Sequence, residues 1–477
     1  MLRPWNLTID IDRSSAKAIY IQIADNVAAA IQSGRLPRGT ALPSSRSLAA
    51  QLKVNRNTVI EAIQLLVSEG WLLSQPRRGI FVAAQLPYGS NLYTEQKIAW
   101  SDHQAPQRII FDDGNPDSKI APVEQLGRAY RQLFKRSARW KMMGYADPRG
   151  HIDFRQEIAN MLNIERNMRI NEDHICISRG SQMAMYLVAQ CLLQHNDYIF
   201  VESPGYHSAW KIFEKAGAKL IPIPVDENGL KVEELLPHLL KKNPIKALYL
   251  TPHRQYPTTV TLSKERRAQL VELSNKYNFV IIEDDYDYEF HFEQAPYYPL
   301  ASQPELINNV YIGTLSKVVA PALRIGYLAT RNEYLLQQIT ELRSIIDIQG
   351  DNIMEQAVLE LIQDGTIRRH IRKATQLYKK KRDFMVAQLD KFLPDHVEYT
   401  SPKGGLAIWL SLKHQINWAL LFQKLKEKSV HIPHPENYTK ERTFGGIRLG
   451  YGSLSEELIK EGITILAEVL EQSKLQS

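Results

Sequence analysis

The chain has 477 residues, 44% hydrophobic and 23% charged, which suits a soluble globular protein of two or three domains with at least one large core. Two cysteines, Cys176 and Cys191, exclude a disulfide framework and fit a reducing cytoplasm. No apolar run approaches the roughly 20 residues that span a bilayer, and the first residues lack the apolar core of a signal peptide, so no membrane partner is expected.

The net charge of +7 is unevenly spread: residues 1–83 carry ten Lys/Arg against five Asp/Glu, and the remainder 49 against 47. A small basic module therefore precedes a nearly neutral large one, and its charge points to a polyanionic partner. In that module Tyr20, Ile23, Ala24, Val27, Ala28 and Ile31 fall on one helical face, with Gly34 and Pro37 as stop signals. A second short helix is predicted from Pro43-Ser-Ser-Arg46 and a third over residues 56–69, capped by Asn55 and ended by Gly70. Residues 71–74 and 79–83 can then pair around Gln-Pro-Arg-Arg. This order describes a winged helix-turn-helix, with Arg56, Asn57 and Thr58 at the end of the recognition helix that points at base edges. Arg46, Arg77 and Arg78 are placed to meet phosphates or the minor groove. A three-helix protein-binding module is the competing reading. The run Ser33-Gly-Arg-Leu-Pro-Arg-Gly-Thr-Ala-Leu-Pro-Ser-Ser-Arg-Ser-Leu-Ala-Ala-Gln-Leu-Lys-Val-Asn-Arg-Asn-Thr-Val59 resembles the DNA-binding domain of the GntR family, which implies double-stranded operator DNA as partner.

Residues 84–108 show neither helical nor strand periodicity and read as a linker. Residues 109–477 alternate short apolar runs with longer helical patterns, the signature of an α/β fold around a mainly parallel sheet. Five strands are predicted, at 174–178, 198–202, 247–251, 279–283 and 310–313. Their carboxyl ends, where open sheets bind ligands, are followed by residues with chemistry to offer. Gly180-Ser181-Gln182 open a helix and can cradle a phosphate. Tyr206 offers a ring face. Asp284 can hold a ring nitrogen protonated, and Tyr286 can bond a ring hydroxyl. Thr314, Ser316 and Arg324 flank Lys317 and can hold a phosphate. Lysine, carboxylate, stacking tyrosine and phosphate cradle together describe a pyridoxal 5′-phosphate site, with no metal assigned. The basic run from Arg368 to Arg382 reads as a solvated helical face.

With Gly144-Tyr-Ala-Asp-Pro-Arg-Gly150, Ser401-Pro-Lys-Gly-Gly405 and Gly446-Ile-Arg-Leu-Gly-Tyr451, residues 109–477 resemble fold-type I aminotransferases, with a smaller C-terminal α+β subdomain at about 380–477. The whole chain is similar to the MocR-type branch of GntR regulators. The resemblance implies Lys317 as internal-aldimine lysine, Asp284 on the pyridine nitrogen, Tyr286 on the ring hydroxyl and Tyr206 stacked on the ring. It puts Ser181, Gln182, Thr314, Ser316 and Arg324 around the phosphate and Arg448 on an effector's carboxylate. It also implies that Tyr145 reaches the neighbouring subunit's phosphate, in a head-to-tail homodimer. One loop departs from the family's Thr-Pro-Ser-His-Gln-Tyr-Pro-Thr-Gly: here it reads Thr251-Pro-His-Arg-Gln-Tyr-Pro-Thr-Thr259, with Arg254 for histidine and Thr259 for glycine. Three readings follow: a regulator sensing pyridoxal phosphate or an amine by aldimine exchange at Lys317, a working aminotransferase with an accessory DNA-binding domain, or a cofactor-binding scaffold without turnover.

Overall fold

The computed structural model describes residues 9–15, 17–75, 78–86, 108–135, 140, 143–241, 245–293, 297–439 and 445–474. Two compact units emerge, Met1–His103 and Gln104–Ser477. Most of the segment read as a linker, 87–107, lies outside the described residues.

The first unit has three helices, α1 (Ile19–Gln32), α2 (Ser45–Leu52) and α3 (Arg56–Ser68), then strands β1 (Leu72–Gln75) and β2 (Gly79–Val82). The helix starts follow from side-chain caps. Ser44 Oγ accepts the Ser47 N–H at 3.2 Å and Asn55 Oδ1 accepts the Asn57 N–H at 2.9 Å, satisfying donors that the first turn leaves unpaired. Ile23, Val27 and Ile31 of α1 meet Leu48, Val59, Ala62, Leu66, Leu72 and Val82 in one core. The hairpin pairs antiparallel, Leu72 opposite Val82 and Gln75 opposite Gly79.

The second unit is built on an eight-stranded sheet. Before it runs a short strand β3 (Ile109–Ile110); the sheet comprises β4 (Ile175–Ser178), β5 (Tyr198–Ser203), β6 (Lys219–Asp226), β7 (Gly229–Leu230), β8 (Ile245–Leu250), β9 (Val280–Asp285), β10 (Asn309–Thr314) and β11 (Gly326–Ala329), in the order β4-β11-β10-β9-β8-β5-β6-β7. The five predicted strands are β4, β5, β8, β9 and β10. β6 carries Pro222 and Pro224, which weaken its strand signal. Both prolines are exposed, and beyond β6 lies only two-residue β7, so no extended ladder is broken. β11 is antiparallel to both neighbours, because the connection from β10 is too short for a parallel crossover.

A second, three-stranded sheet holds β12 (Val397–Glu398), β13 (Ala407–Leu412) and, after β14 (Val430–His431), β15 (Gly446–Gly450). β14 pairs with β3, so Ile109 and Phe111 enter the same core as Leu421, Ile447 and Leu466 although they lie at the other end of the unit's sequence. The basic run 368–382 lies in the helix Thr366–Phe392. Arg368, Arg369, Arg372 and Lys373 are exposed as expected, but the run is not solvated throughout. Lys381 and Arg382 turn inward: Lys381 Nζ donates to Gly452 O at 2.7 Å and Asp117 Oδ2 at 3.2 Å, and Arg382 pairs with Glu293 at 2.7 Å. No helix among the described residues is long and apolar enough to cross a membrane.

Candidate cofactor site and DNA-binding face

The carboxyl ends of the parallel strands converge on a cavity of about 360 Å³. Nine residues singled out from the sequence line it: Ser181, Gln182, Tyr206, Asp284, Tyr286, Thr314, Ser316, Lys317 and Arg324. Parallel pairing of β9 with β10, Asp284 beside Ile312, brings the carboxylate and lysine segments to one edge. Thr314 and Ser316 are buried, and their hydroxyls donate to the Ile325 carbonyl at 3.2 and 3.5 Å. Ser181 begins the helix Ser181–Leu192, whose first N–H groups have no intrahelical partner. Close packing explains two glycines there. A Cβ on Gly180 would lie 2.6 Å from Arg324 Nη2, and one on Gly326 would lie 2.6 Å from the Gly180 carbonyl carbon.

Lys317 Nζ donates to Gly114 O and to Asn115 Oδ1, each at 2.9 Å. Burial pushes its amine below the ordinary lysine value, against the pull of Asp112. Asp284 lies within β9, next to its last residue Asp285, rather than after the strand, and is 4% exposed. Tyr249 Oη donates to its Oδ2 at 2.8 Å, while its Oδ1 has no hydrogen-bond partner. Burial raises its pKa to about 6, partly offset by the Tyr249 bond. The ring of Tyr206 stands edge-on to Tyr256 with centroids 5.1 Å apart, and its hydroxyl accepts from Gln182 Nε2 at 3.0 Å.

Two predicted residues are not part of this wall. Arg448, on β15, is 1% exposed: Nη1 donates to Pro257 O at 2.7 Å, Nε to Asp113 O at 3.3 Å and Nη2 to Tyr286 Oη at 3.4 Å. Tyr145 is 86% exposed. Conversely Asp113, Asn115, Tyr249 and Pro321 line the cavity without having been singled out, and so do Thr251 and Tyr256 of the divergent loop, to which no site role was given. The signal for the first two was the turn-rich Asp112-Asp-Gly-Asn-Pro116 directly after an apolar triplet. In the divergent loop, Thr259 does take a left-handed φ of 64°, which is unfavourable for a β-branched residue. Arg254 is buried and pairs with Asp287, Nε to Oδ1 at 2.7 Å.

Residues 109–466 match the aminotransferase class I and II family and residues 19–82 the bacterial regulatory proteins of the gntR family. The chain is 30% identical over 470 residues to an uncharacterized HTH-type transcriptional regulator of Bacillus subtilis (strain 168), YdeL, covering 96% of both chains. It is 26% identical to the "Probable rhizopine catabolism regulatory protein MocR" of Rhizobium meliloti, covering 96% of this chain and 94% of that one. The chain belongs to the MocR-type regulators of the GntR family. Its aminotransferase unit is also similar to a Pyrococcus horikoshii kynurenine aminotransferase solved with PMP, at 27% identity and a TM-score of 0.72, covering 77% of this chain and 92% of that one.

Aminotransferases of this class bind pyridoxal phosphate, and the cavity of this MocR-type chain fits that group. The unpartnered, buried Asp284 Oδ1 is an acceptor awaiting an N–H donor, and hydroxyls, a helix N-terminus and a guanidinium gather at the other end of the wall. A prediction follows from Asp284. In the cofactor-free protein its carboxyl is neutral in folded and unfolded chains below about pH 4, but above about pH 6 the folded chain bears a poorly solvated charge. Asp284→Asn is therefore expected to stabilise the cofactor-free protein by roughly 2–3 kcal/mol at slightly alkaline pH, the gain fading as pH falls from 6 towards 4. Denaturant titrations across that range check it.

In the helix-turn-helix unit, Arg46, Arg56 and Asn57 are exposed and Thr58 is half-buried. Arg56 Nε donates to Ser45 Oγ at 3.4 Å, tying the start of α3 to the start of α2. Arg78 is exposed at the hairpin turn, whereas Arg77 lies outside the described residues. Helix-turn-helix units of this family bind DNA. If Arg46 meets a phosphate, Arg46→Ala is expected to weaken binding to all sequences alike and to lower the salt dependence by about one unit of log–log slope. Arg56→Ala should instead relax sequence preference, costing roughly 1–3 kcal/mol on the operator. Binding isotherms at several salt concentrations separate the two.

Proposed function

We propose that this MocR-type regulator binds pyridoxal phosphate in the cavity of its aminotransferase-like unit and reads an amino compound there, changing the occupancy of operator DNA. The observation that carries the reading is one cavity uniting an amine, a buried carboxylate with an unpartnered oxygen, an aromatic face and a helix N-terminus, on a chain that also has a DNA-binding unit.

In this reading Ser181, Gln182, Thr314, Ser316 and Arg324 hold the phosphate, Asp284 keeps the ring nitrogen protonated, Tyr286 bonds the ring hydroxyl and Tyr206 covers the ring. Lys317 anchors the cofactor, and its burial favours the neutral, nucleophilic amine. When bound, the cofactor supplies an electrophilic carbon that captures primary amines. Tyr145 of a second copy completes the phosphate shell in a head-to-tail homodimer. Binding can alter DNA occupancy only if two arrangements of the protein differ in affinity for both ligands, and the coupling is then reciprocal. Gel-shift titrations of the chain's own promoter region, with and without pyridoxal phosphate and candidate amines, test the proposal. A specific complex whose affinity changes with cofactor or amine is the expected result, and no specific complex under any condition refutes it.

A second reading is a working aminotransferase with an accessory DNA-binding unit, favoured by the likeness to the kynurenine aminotransferase. Lys317 would then also serve as the base that takes the proton from the substrate's α-carbon. Multiple turnovers with amino donors and keto acids would establish that reading, and a single half-turnover would leave the sensor.

A further inference from the structure

Lys317 has a resting place besides the cofactor. Its Nζ donates to Gly114 O and to Asn115 Oδ1, which lie 203 and 202 positions earlier in the chain, in the loop after β3. That loop does not depend on Lys317 for its shape. Asp112 fixes it: Oδ1 accepts the N–H groups of Gly114 and Asn115, each at 2.8 Å, Oδ2 accepts the Ser453 hydroxyl at 3.0 Å, and its carbonyl accepts the Gly450 N–H at 2.8 Å. Gly114 is buried and offers a backbone acceptor, whereas Asn115 is exposed and offers its side chain. The loop is therefore a preformed pair of acceptors for one amine, and the residue type at 115 sets one of the two.

One amine cannot serve both the loop and the cofactor. Capture of an aldehyde by Lys317 replaces the carbonyl oxygen by Nζ and releases water. It leaves Nζ with at most one hydrogen, so the two bonds to the loop cannot both survive. When another amine takes over, its nitrogen bonds to the cofactor carbon, the bond to Lys317 breaks and a proton passes to the departing nitrogen. Lys317 then has its hydrogens back, and the two acceptors are where they were.

We propose that Asn115 is a positioning residue that competes with the cofactor for Lys317: by holding the free amine on the loop it weakens cofactor capture and, by the same factor, favours release of Lys317 by an incoming amine. This rests on the cofactor reading above and deepens it, since residue 115 then sets the balance between the two states that a sensor must distinguish. The test is Asn115→Ala in the full-length protein. The substitution keeps the backbone N–H that donates to Asp112 and alters an exposed side chain, so the loop retains its shape. Removing one hydrogen bond from the resting amine is expected to tighten pyridoxal phosphate binding about three- to tenfold, followed by the visible absorbance of the bound cofactor. Calorimetric titration of the loaded protein with propylamine, which has neither a carboxylate nor a second amine, should show uptake weakened by a similar factor. Asn115→Asp puts a carboxylate against Nζ and should move both quantities the other way. A residue that merely shaped the pocket, or that touched the cofactor itself, would weaken cofactor binding when cut back to alanine. An alanine variant that binds pyridoxal phosphate no more tightly than the unsubstituted chain therefore overturns the proposal. If its thermal melt shows that variant to be unfolded, Asn115→Asp decides: opposite shifts in cofactor and amine affinity support the proposal, and shifts of one sign or none overturn it. If no absorbance band forms in the unsubstituted chain, the cofactor reading fails and this inference with it. A band without the expected shifts sinks the inference alone.

Discussion

Replacing Lys317 by alanine is expected to leave the protein able to bind its operator but deaf to pyridoxal phosphate and to amines. Lys317 belongs to the Gln104–Ser477 unit, whereas the recognition helix α3 belongs to Met1–His103, so the intrinsic DNA contacts are untouched. What is lost is the covalent anchor of the ligand. Ligand couplings between sites typically span about 5- to 150-fold in affinity, and in Lys317→Ala the response should collapse to within about twofold of none. Fluorescence anisotropy on a promoter fragment, with and without pyridoxal phosphate, measures it. Lys317→Arg keeps the positive charge facing Gly114 O and Asn115 Oδ1 but cannot capture an aldehyde, so it should behave like the alanine variant in signalling. A response that persists in both variants would mean that the cofactor acts elsewhere.

The second large effect is expected at the loop that departs from the family. Arg254 and Asp287 are 7% and 2% exposed and form an ion pair at 2.7 Å, with a further Arg254 contact to the Asp287 carbonyl. Removing one partner of such a pair strands the other charge away from water, at a cost of about 3–5 kcal/mol. Arg254→Ala should therefore destabilise the aminotransferase-like unit by that order. Asp287→Asn in the same background should recover part of the loss, since it removes the stranded charge. Chemical denaturation followed by near-ultraviolet circular dichroism reads both. The effect reaches the cavity, because the Tyr286 hydroxyl donates to the Arg254 carbonyl at 3.0 Å, so the variant should also hold pyridoxal phosphate less tightly. An arginine at this position is thus accommodated by an acidic partner on the next segment, and the cavity wall keeps its shape around it.

The helix-turn-helix unit was legible almost to the residue because its signals are local. Ser44 and Asn55 cap the helices they precede, Gly70 takes the positive φ that ends α3, and the hairpin register follows from two short apolar runs. The nine cavity residues were legible for a related reason: each follows, or ends, a strand whose apolar run announces it. Asp113 and Asn115 were not, because they face Lys317 from 202 to 204 positions away, and nothing near them in the chain foretells that β3 pairs with β14. Lys381 and Arg382 look like part of a solvated basic face until Asp117, Gly452 and Glu293 are seen to converge on them. Such tertiary pairings override a one-dimensional pattern. Arg448 shows the reverse case. The resemblance implied an effector carboxylate as its partner, and no local signal announced that Asp113 O and Pro257 O would also meet its guanidinium.

The measurement closest to the central claim is footprinting of the full-length protein on the intergenic DNA next to its own reading frame, during titration first of pyridoxal phosphate and then of an amine panel. A protected site of two half-sites, with an affinity that shifts on cofactor addition and shifts again with an amino compound, is the predicted result. Protection that stays the same at every concentration of cofactor and amine would contradict the account, since the cavity would then have no hold on the DNA.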